Sequence, residues 1–168
     1  MKTLIVYSSL TGNTKALCER VFQSLSVAKE IVDIEKISEL KIEEFETILL
    51  GFWCDKGSMD AASIKFLKSI QNKKIFFLGS LGARPESEHG RAVYEKAKKL
   101  CMENNDFQDG ILIWGKISKA VQDRIRQFPA DHPHGPNPER IARWEAAESH
   151  PDEEDFEKVE AFFSSRIS

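Results

Sequence analysis

The chain has 168 residues, of which 41% are hydrophobic and 30% are charged, a balance typical of one soluble globular domain and not of a disordered or fibrous chain. We therefore expect a single domain over residues 1–168. The formal net charge of −3 does not favour nucleic acid as a partner, and the longest mostly apolar run, residues 75–83, is too short for membrane insertion.

Five short runs along the chain have the character of β-strands, and most are continuously apolar instead of alternating between apolar and polar residues. Such runs are typical of strands that are buried on both faces of a parallel sheet. In chain order they are "TLIVY" (3–7), "EIVDI" (30–34), "TILLGFW" (47–53), "KIFFLGS" (74–80) and "GILIWG" (110–115).

Segments with helical periodicity separate most of these runs, and one more closes the chain. They are residues 14–25, 60–70, 90–104, 118–128 and 153–167. The alternation predicts an α/β three-layer sandwich around a five-stranded parallel sheet in the order 2-1-3-4-5. The connection over residues 35–46 holds only about one helical turn or a distorted helix.

A proline-rich segment interrupts the alternation before the last helix. Residues 128–138 contain four prolines and predict a rigid, irregular loop, in which His132 and His134 have no assigned role. Asn137 then has the character of an N-cap, with Pro138 at the first position of an inserted helix, "ERIARWEAA".

The loop after the first strand, "YSSLTGNTK" at residues 7–15, is unusually rich in hydroxyl groups. In an open α/β sheet, ligands bind at the carboxyl ends of the strands beside the first strand, and a helix N-terminus there attracts an anion. The hydroxyls of Ser9, Thr11 and Thr14 can add donors, and Gly12 allows close approach. We expect this loop to hold a phosphate group without Lys or Arg; the alternative is that the hydroxyls only cap the helix.

Other phosphate loops do not fit these residues. The P-loop pattern GxxxxGK[ST] and the dinucleotide pattern GxGxxG are both absent. A receiver domain has the same strand order, but it needs acidic residues where this chain has "YSS" and "GFW".

The loop resembles the FMN-phosphate loop of the flavodoxins, (S/T)-x-T-G-x-T. In this chain the pattern is formed by Ser9, Leu10, Thr11, Gly12, Asn13 and Thr14. The order of elements along the whole chain is also similar to that family. The resemblance implies a flavodoxin-like protein with FMN as its cofactor.

The same resemblance implies that the flavin ring lies between the loops after the third and fourth predicted strands. The third-strand candidates are Phe52, Trp53, Lys56 and Gly57, with Trp53 as a stacking partner for the ring. The fourth-strand candidates are Ser80, Leu81, Gly82, Ala83 and Arg84. Most flavodoxins have a Tyr in this second loop, and this chain has none, so the outer face of the ring is either open or covered by the proline-rich insertion.

The functional expectation is an electron-transfer protein that passes electrons through a non-covalent flavin to a partner redox enzyme, a flavin-dependent reductase being one candidate. Two alternatives stay open. One is a flavin-dependent oxidoreductase linked to NAD(P)H, a quinone or a porphyrinogen; Arg84 and His89 in a pocket beside an open ring face would favour it. The other is a non-redox module that binds a phosphate-bearing ligand or a partner. We favour a carrier over a stand-alone enzyme and expect no catalytic residue.

The three cysteines, Cys18, Cys54 and Cys101, are widely spaced and form no CxxC pair. This pattern predicts neither a disulfide framework nor a metal site, and Cys54 is expected to be a buried spectator thiol. Reduced thiols and an N-terminus without a leader pattern lead us to expect a cytoplasmic protein.

Overall fold

Strands and helices alternate along the chain in the computed structural model, which describes residues 2–168. The strands are β1 (Thr3–Tyr7), β2 (Lys29–Asp33), β3 (Thr47–Asp55), β4 (Ser58–Met59), β5 (Lys74–Leu81) and β6 (Asp106–Trp114). The helices are α1 (Asn13–Ser24), α2 (Ala61–Ser69), α3 (Glu88–Met102), α4 (Lys119–Arg126), α5 (Pro138–Ala147) and α6 (Glu153–Ser164).

The central sheet has the strand order β2-β1-β3-β5-β6, and all neighbours along this path are parallel. The predicted order is therefore confirmed, with β4 as an additional two-residue strand antiparallel to the end of β3. The apolar runs are explained by burial on both faces: Leu4, Ile5 and Val6 of β1 are all inaccessible to solvent.

Two hydrophobic layers cover the two faces of the sheet. On one face, α2 and α3 pack through residues such as Phe66 and Val93. On the other face, α1 and α6 pack against the sheet and each other, with Leu17 and Phe163 fully buried. The arrangement is the three-layer sandwich that the sequence predicts.

The connection between β2 and β3 contains no α-helix. The absence of a full helix is as expected, but the connection consists of two short 3₁₀ helices, Ile34–Glu39 and Ile42–Glu44, and not of a single turn. Asp33 begins the first of them, because its carboxylate accepts a hydrogen bond from the backbone N–H of Glu35.

The proline-rich insertion lies between α4 and α5. Asn137 caps α5 through the backbone N–H of Arg140, and Pro138 is the first helical residue, as predicted. The His132 ring stacks on Phe128 at a centroid distance of 4.6 Å, so this histidine has a packing partner inside the loop itself. Among the helices between residues 2 and 168, none has the length and apolar character that crossing a membrane demands.

Candidate functional site

The carboxyl ends of β1, β3, β5 and β6 meet at one edge of the sheet, and the loops that follow them form the candidate site. Every site residue predicted from the sequence lies at this edge, in the loops after β1, β3 and β5 or at the adjoining ends of the strands and of α1. The segment after β6, which the sequence analysis did not single out, adjoins them.

The loop after β1 is a tight turn into α1. Gly12 is the N-cap residue with φ of 92°, a left-handed conformation that glycine adopts without strain, and its backbone N–H donates to Ser9 Oγ at 3.1 Å. Leu10 and Thr11 are exposed at the tip of the loop. The first amides of α1 have no partner within the helix and carry its positive dipole end, which makes this turn suitable for an anion.

Thr14 has a different role from the other hydroxyl residues of the loop. Its side chain is buried, with Oγ1 donating to the Phe52 carbonyl at 3.3 Å and lying 2.8 Å from Ser80 Oγ. The Thr14 hydroxyl therefore ties the start of α1 to the ends of β3 and β5. Ser9, Thr11 and the helix amides are the donors that remain nearer the surface.

Asp60 is a buried member of the site that the sequence analysis missed. It is only 2% exposed and accepts hydrogen bonds from Ser8 Oγ (2.7 Å), Ser63 Oγ (2.8 Å), and the backbone N–H groups of Ser63 (3.2 Å) and Trp53 (3.3 Å). One carboxylate thus caps α2 and joins it to the loop after β1 and to the end of β3. A signal was present in the sequence, because an aspartate directly before a helical pattern is typical of an N-cap.

The end of β3 forms a hairpin with β4 whose turn is Lys56–Gly57. Both turn residues have positive φ, 50° for Lys56 and 78° for Gly57, as a two-residue type I′ hairpin requires. Trp53 is partly buried at this end of the strand. Phe52 points the other way: its ring is fully buried and packs edge-on against Phe77, so only its backbone carbonyl takes part in the site.

The loop after β5 begins inside the sheet. Ser80 and Leu81 are still strand residues and are buried, whereas Gly82 and Ala83 are partly buried. A side chain at position 82 would lie within 2.6 Å of Ile117, so the glycine lets this loop pack against the segment after β6.

Arg84 and His89 point to different neighbours. The Arg84 guanidinium lies over the Trp114 ring, 5.0 Å from its centroid, and the other close neighbour of that indole is the stacked His150 ring at 4.6 Å. His89 lies instead near the Lys56–Gly57 turn. The Trp114 Nε1 atom is buried and has no hydrogen-bond partner within residues 2–168.

Burial keeps the cysteine thiols protonated. It raises the pKa of Cys101 to about 12, and it also raises the pKa of Cys18 and of Cys54. Each thiol is therefore protonated at neutral pH and is a poor nucleophile. This includes Cys54, which is adjacent to Trp53.

A compact polar group at the start of α6 is explained by helix capping. Asp152 accepts from the backbone N–H of Asp155, and the Asp155 carboxylate accepts from the backbone N–H of Asp152 and lies 2.6 Å from His150 Nδ1. The three side chains are close enough together to hold a metal ion, but one carboxylate oxygen of each aspartate is already engaged by the capping box.

The fold is that of the flavodoxins. Oxidised flavodoxin 2 from Bacillus cereus superposes with a TM-score of 0.59 at 20% identity, over 96% of this chain and 94% of that one. A flavoprotein in complex with FMN from Lactobacillus acidophilus NCFM superposes with a TM-score of 0.54 at 12% identity, over 66% of this chain and 92% of that one.

The sequence comparisons agree with the structural ones. Residues 4–164 match the model of the flavodoxin domain family Flavodoxin_3. The flavodoxin-like domain-containing protein BilS of Clostridioides difficile is 30% identical over 165 residues, which cover 96% of this chain and 94% of that protein. The chain belongs to the flavodoxin domain family.

Proposed function

We propose that this protein binds FMN non-covalently and passes electrons through it to a partner redox enzyme, for which a flavin-dependent reductase is one candidate. The observation that carries the proposal is the hydroxyl-rich turn at the N-terminus of α1, placed at the carboxyl edge of a flavodoxin sheet. Membership of the family and the FMN named for the L. acidophilus flavoprotein support the choice of cofactor.

The residues at this edge fit FMN at both of its ends. Exposed Thr11, Ser9 and the amides after Gly12 suit the phosphate group, and a partly buried Trp53 offers an aromatic face to the flavin ring. Phe52 and Leu81 contribute only backbone atoms, because their side chains lie in the core. FMN supplies the redox chemistry when bound, and the protein supplies binding, orientation and the electrostatic environment.

The groups nearest the proposed ring site favour a carrier over a stand-alone enzyme. The carboxylate of Asp60 is occupied by four donors, and burial raises the pKa of the Cys54 thiol. The Asp60 carboxylate therefore serves the fold, and the Cys54 thiol stays protonated. Neither group is in the free, reactive form of a base or nucleophile. Free thiols at all three cysteines also suit a reducing compartment, and we propose a cytoplasmic location.

The test is to reconstitute the purified protein with FMN and reduce it stepwise while recording absorbance. We expect one flavin per chain, two separable one-electron steps, and NAD(P)H oxidation no faster than with free FMN at the same concentration. Sustained NAD(P)H oxidation without a partner would instead establish the oxidoreductase alternative. A protein that takes up no FMN would refute the proposal and support the non-redox alternative.

A further inference from the structure

We propose that Lys116 and Lys119, in the segment after β6, form a cationic wall of the phosphate site and neutralise the FMN phosphate. The inference rests on the proposed FMN binding and assigns a specificity role to a segment far from the phosphate loop in sequence. It adds positive charge beside a loop that itself has no Lys or Arg before Lys15.

The first observation is an open pocket of about 400 Å³ that the phosphate loop and the segment after β6 line together. Thr11 of the phosphate loop lines this pocket, and so do Lys116 and Lys119. The other lining residues are Ile117, Ser118, Gln122, Asp123, Arg126 and Glu148.

The second observation is that the backbone of Lys116 is fixed against the start of α1. Asn13 Nδ2 donates to the Lys116 carbonyl at 3.1 Å, and the Lys116 backbone N–H donates to the His150 carbonyl at 2.8 Å. The preceding Gly115 allows this close approach, because a Cβ atom there would lie 2.8 Å from Asn13 Nδ2. The lysine is therefore held next to the helix N-terminus that the phosphate would face.

The third observation concerns charge. Lys116 and Lys119 are exposed, and within residues 2–168 neither forms an ion pair. Arg126, the third cation of the pocket, lies over the Trp144 ring, 5.3 Å from its centroid, and also lines a neighbouring pocket without Thr11. The two lysines are thus the cations left free for an anion at the Thr11 side.

The negative charge of the FMN phosphate is larger than the positive charge that the helix N-terminus supplies, so the positive charge of the lysines would strengthen binding. A phosphate monoester carries between −1.5 and −2 charges at neutral pH, whereas a helix N-terminus supplies only about half a positive charge. Asp123 and Glu148, on the same pocket wall, oppose the lysines in part. With Arg126, the wall carries three cationic side chains against these two carboxylates, which leaves it a net charge of +1.

The experiment compares FMN with riboflavin, which lacks the phosphate, by fluorescence titration at low and high salt. The variants are Lys116→Gln, Lys119→Gln and the double variant, with Lys99→Gln as the control. Lys99 is an exposed lysine on α3, on the opposite face of the sheet. Thermal unfolding of each variant checks that it is folded.

At low salt, we expect the double variant to bind FMN about tenfold more weakly than wild type, and each single variant about threefold more weakly. The variants lose charge-assisted contacts with the phosphate, which are only weakly screened at low salt. Riboflavin affinity and the Lys99→Gln control should stay within about twofold of wild type, and salt should weaken FMN binding less in the double variant.

FMN affinity unchanged in the double variant, with wild type still binding FMN, would overturn this inference and leave the proposed function intact. Equal loss for FMN and riboflavin would also overturn it, because the lysines would then act on the fold of the site and not on the phosphate. Wild-type protein that binds neither flavin would overturn the proposed function and this inference with it.

Discussion

At the scale of single residues, Asp60 holds the candidate site together. A buried carboxylate with four hydrogen-bond donors leaves those donors unsatisfied when it is removed. Because the donors come from the loop after β1, the end of β3 and the start of α2, its loss affects three elements at once.

We expect Asp60→Ala to lower the free energy of unfolding by about 2–4 kcal/mol, since all four donors lose their acceptor and three of these hydrogen bonds are buried. Asp60→Asn should lower the free energy of unfolding by less, because the amide oxygen of the asparagine can still accept hydrogen bonds. Urea unfolding measures the stability of both variants. The matched control is Asp131→Ala, at an exposed aspartate in a loop, which should change stability by at most about 0.5 kcal/mol. Equal stability of Asp60→Ala and the control would refute this role.

Residue types and local pattern were enough to predict at which end of the sheet the candidate residues lie, but not the direction of every side chain. Thr14 was expected among the phosphate donors, and its hydroxyl instead bonds the Phe52 carbonyl and lies against Ser80. These partners are 38 and 66 residues away in sequence, so the contact depends on the register of three strands. Trp53 and Phe52 are adjacent, and which of them faces the core follows from the strand register too.

At the scale of elements, the five strands of the parallel sheet were predictable, whereas the polar start of β6 and the short strand β4 were not. β6 begins at Asp106, four residues before the predicted start at 110. As the edge strand of the sheet it tolerates the polar sequence "DFQD", which has no continuous apolar signal. The two-residue strand β4 was missed because Lys56 is an unusual residue for a type I′ turn.

The start of α6 gives a pH-dependent prediction at this scale. Backbone hydrogen bonds from Asp155, with help from nearby His150, lower the pKa of Asp152 in the folded protein. A carboxyl group whose pKa is lowered by folding contributes stability above its unfolded pKa, and this contribution is lost as the pH falls through the folded pKa.

Asp152→Asn should therefore be less stable than wild type at pH 7, and the difference should shrink as the pH falls below the ordinary range of an aspartate. Thermal unfolding midpoints recorded from pH 7 down to acid pH test this. Glu157→Gln, at an exposed position within α6, is the control without a cap contact. A stability difference that stays constant with pH would contradict a contribution of the Asp152 charge to the stability of the cap.

At the scale of the whole molecule, the chain is a flavodoxin-family sandwich, and its candidate site lies at the carboxyl ends of the parallel strands. The C-terminal end of the inserted helix α5 borders the same pocket as the phosphate loop, since Glu148 and Thr11 line it together. The order of elements, the sheet and the inserted helix were all predictable from periodicity and capping residues. That Thr11, Lys116 and Lys119 line one pocket was not predictable, because more than a hundred residues separate Thr11 from the two lysines in sequence.

The central claim is that the turn after β1 holds the phosphate of FMN, and Thr11 tests it most directly. Its side chain is exposed, so a substitution there disturbs no core contact. The measurement is a fluorescence titration of FMN into wild type, Thr11→Asp and Thr11→Asn, where the two substituents have similar size and differ in charge. We predict that Thr11→Asp loses FMN binding by about a hundredfold or more, because a carboxylate would face the phosphate, whereas Thr11→Asn retains most of it. FMN affinity in Thr11→Asp equal to that of Thr11→Asn would contradict the assignment of the phosphate site.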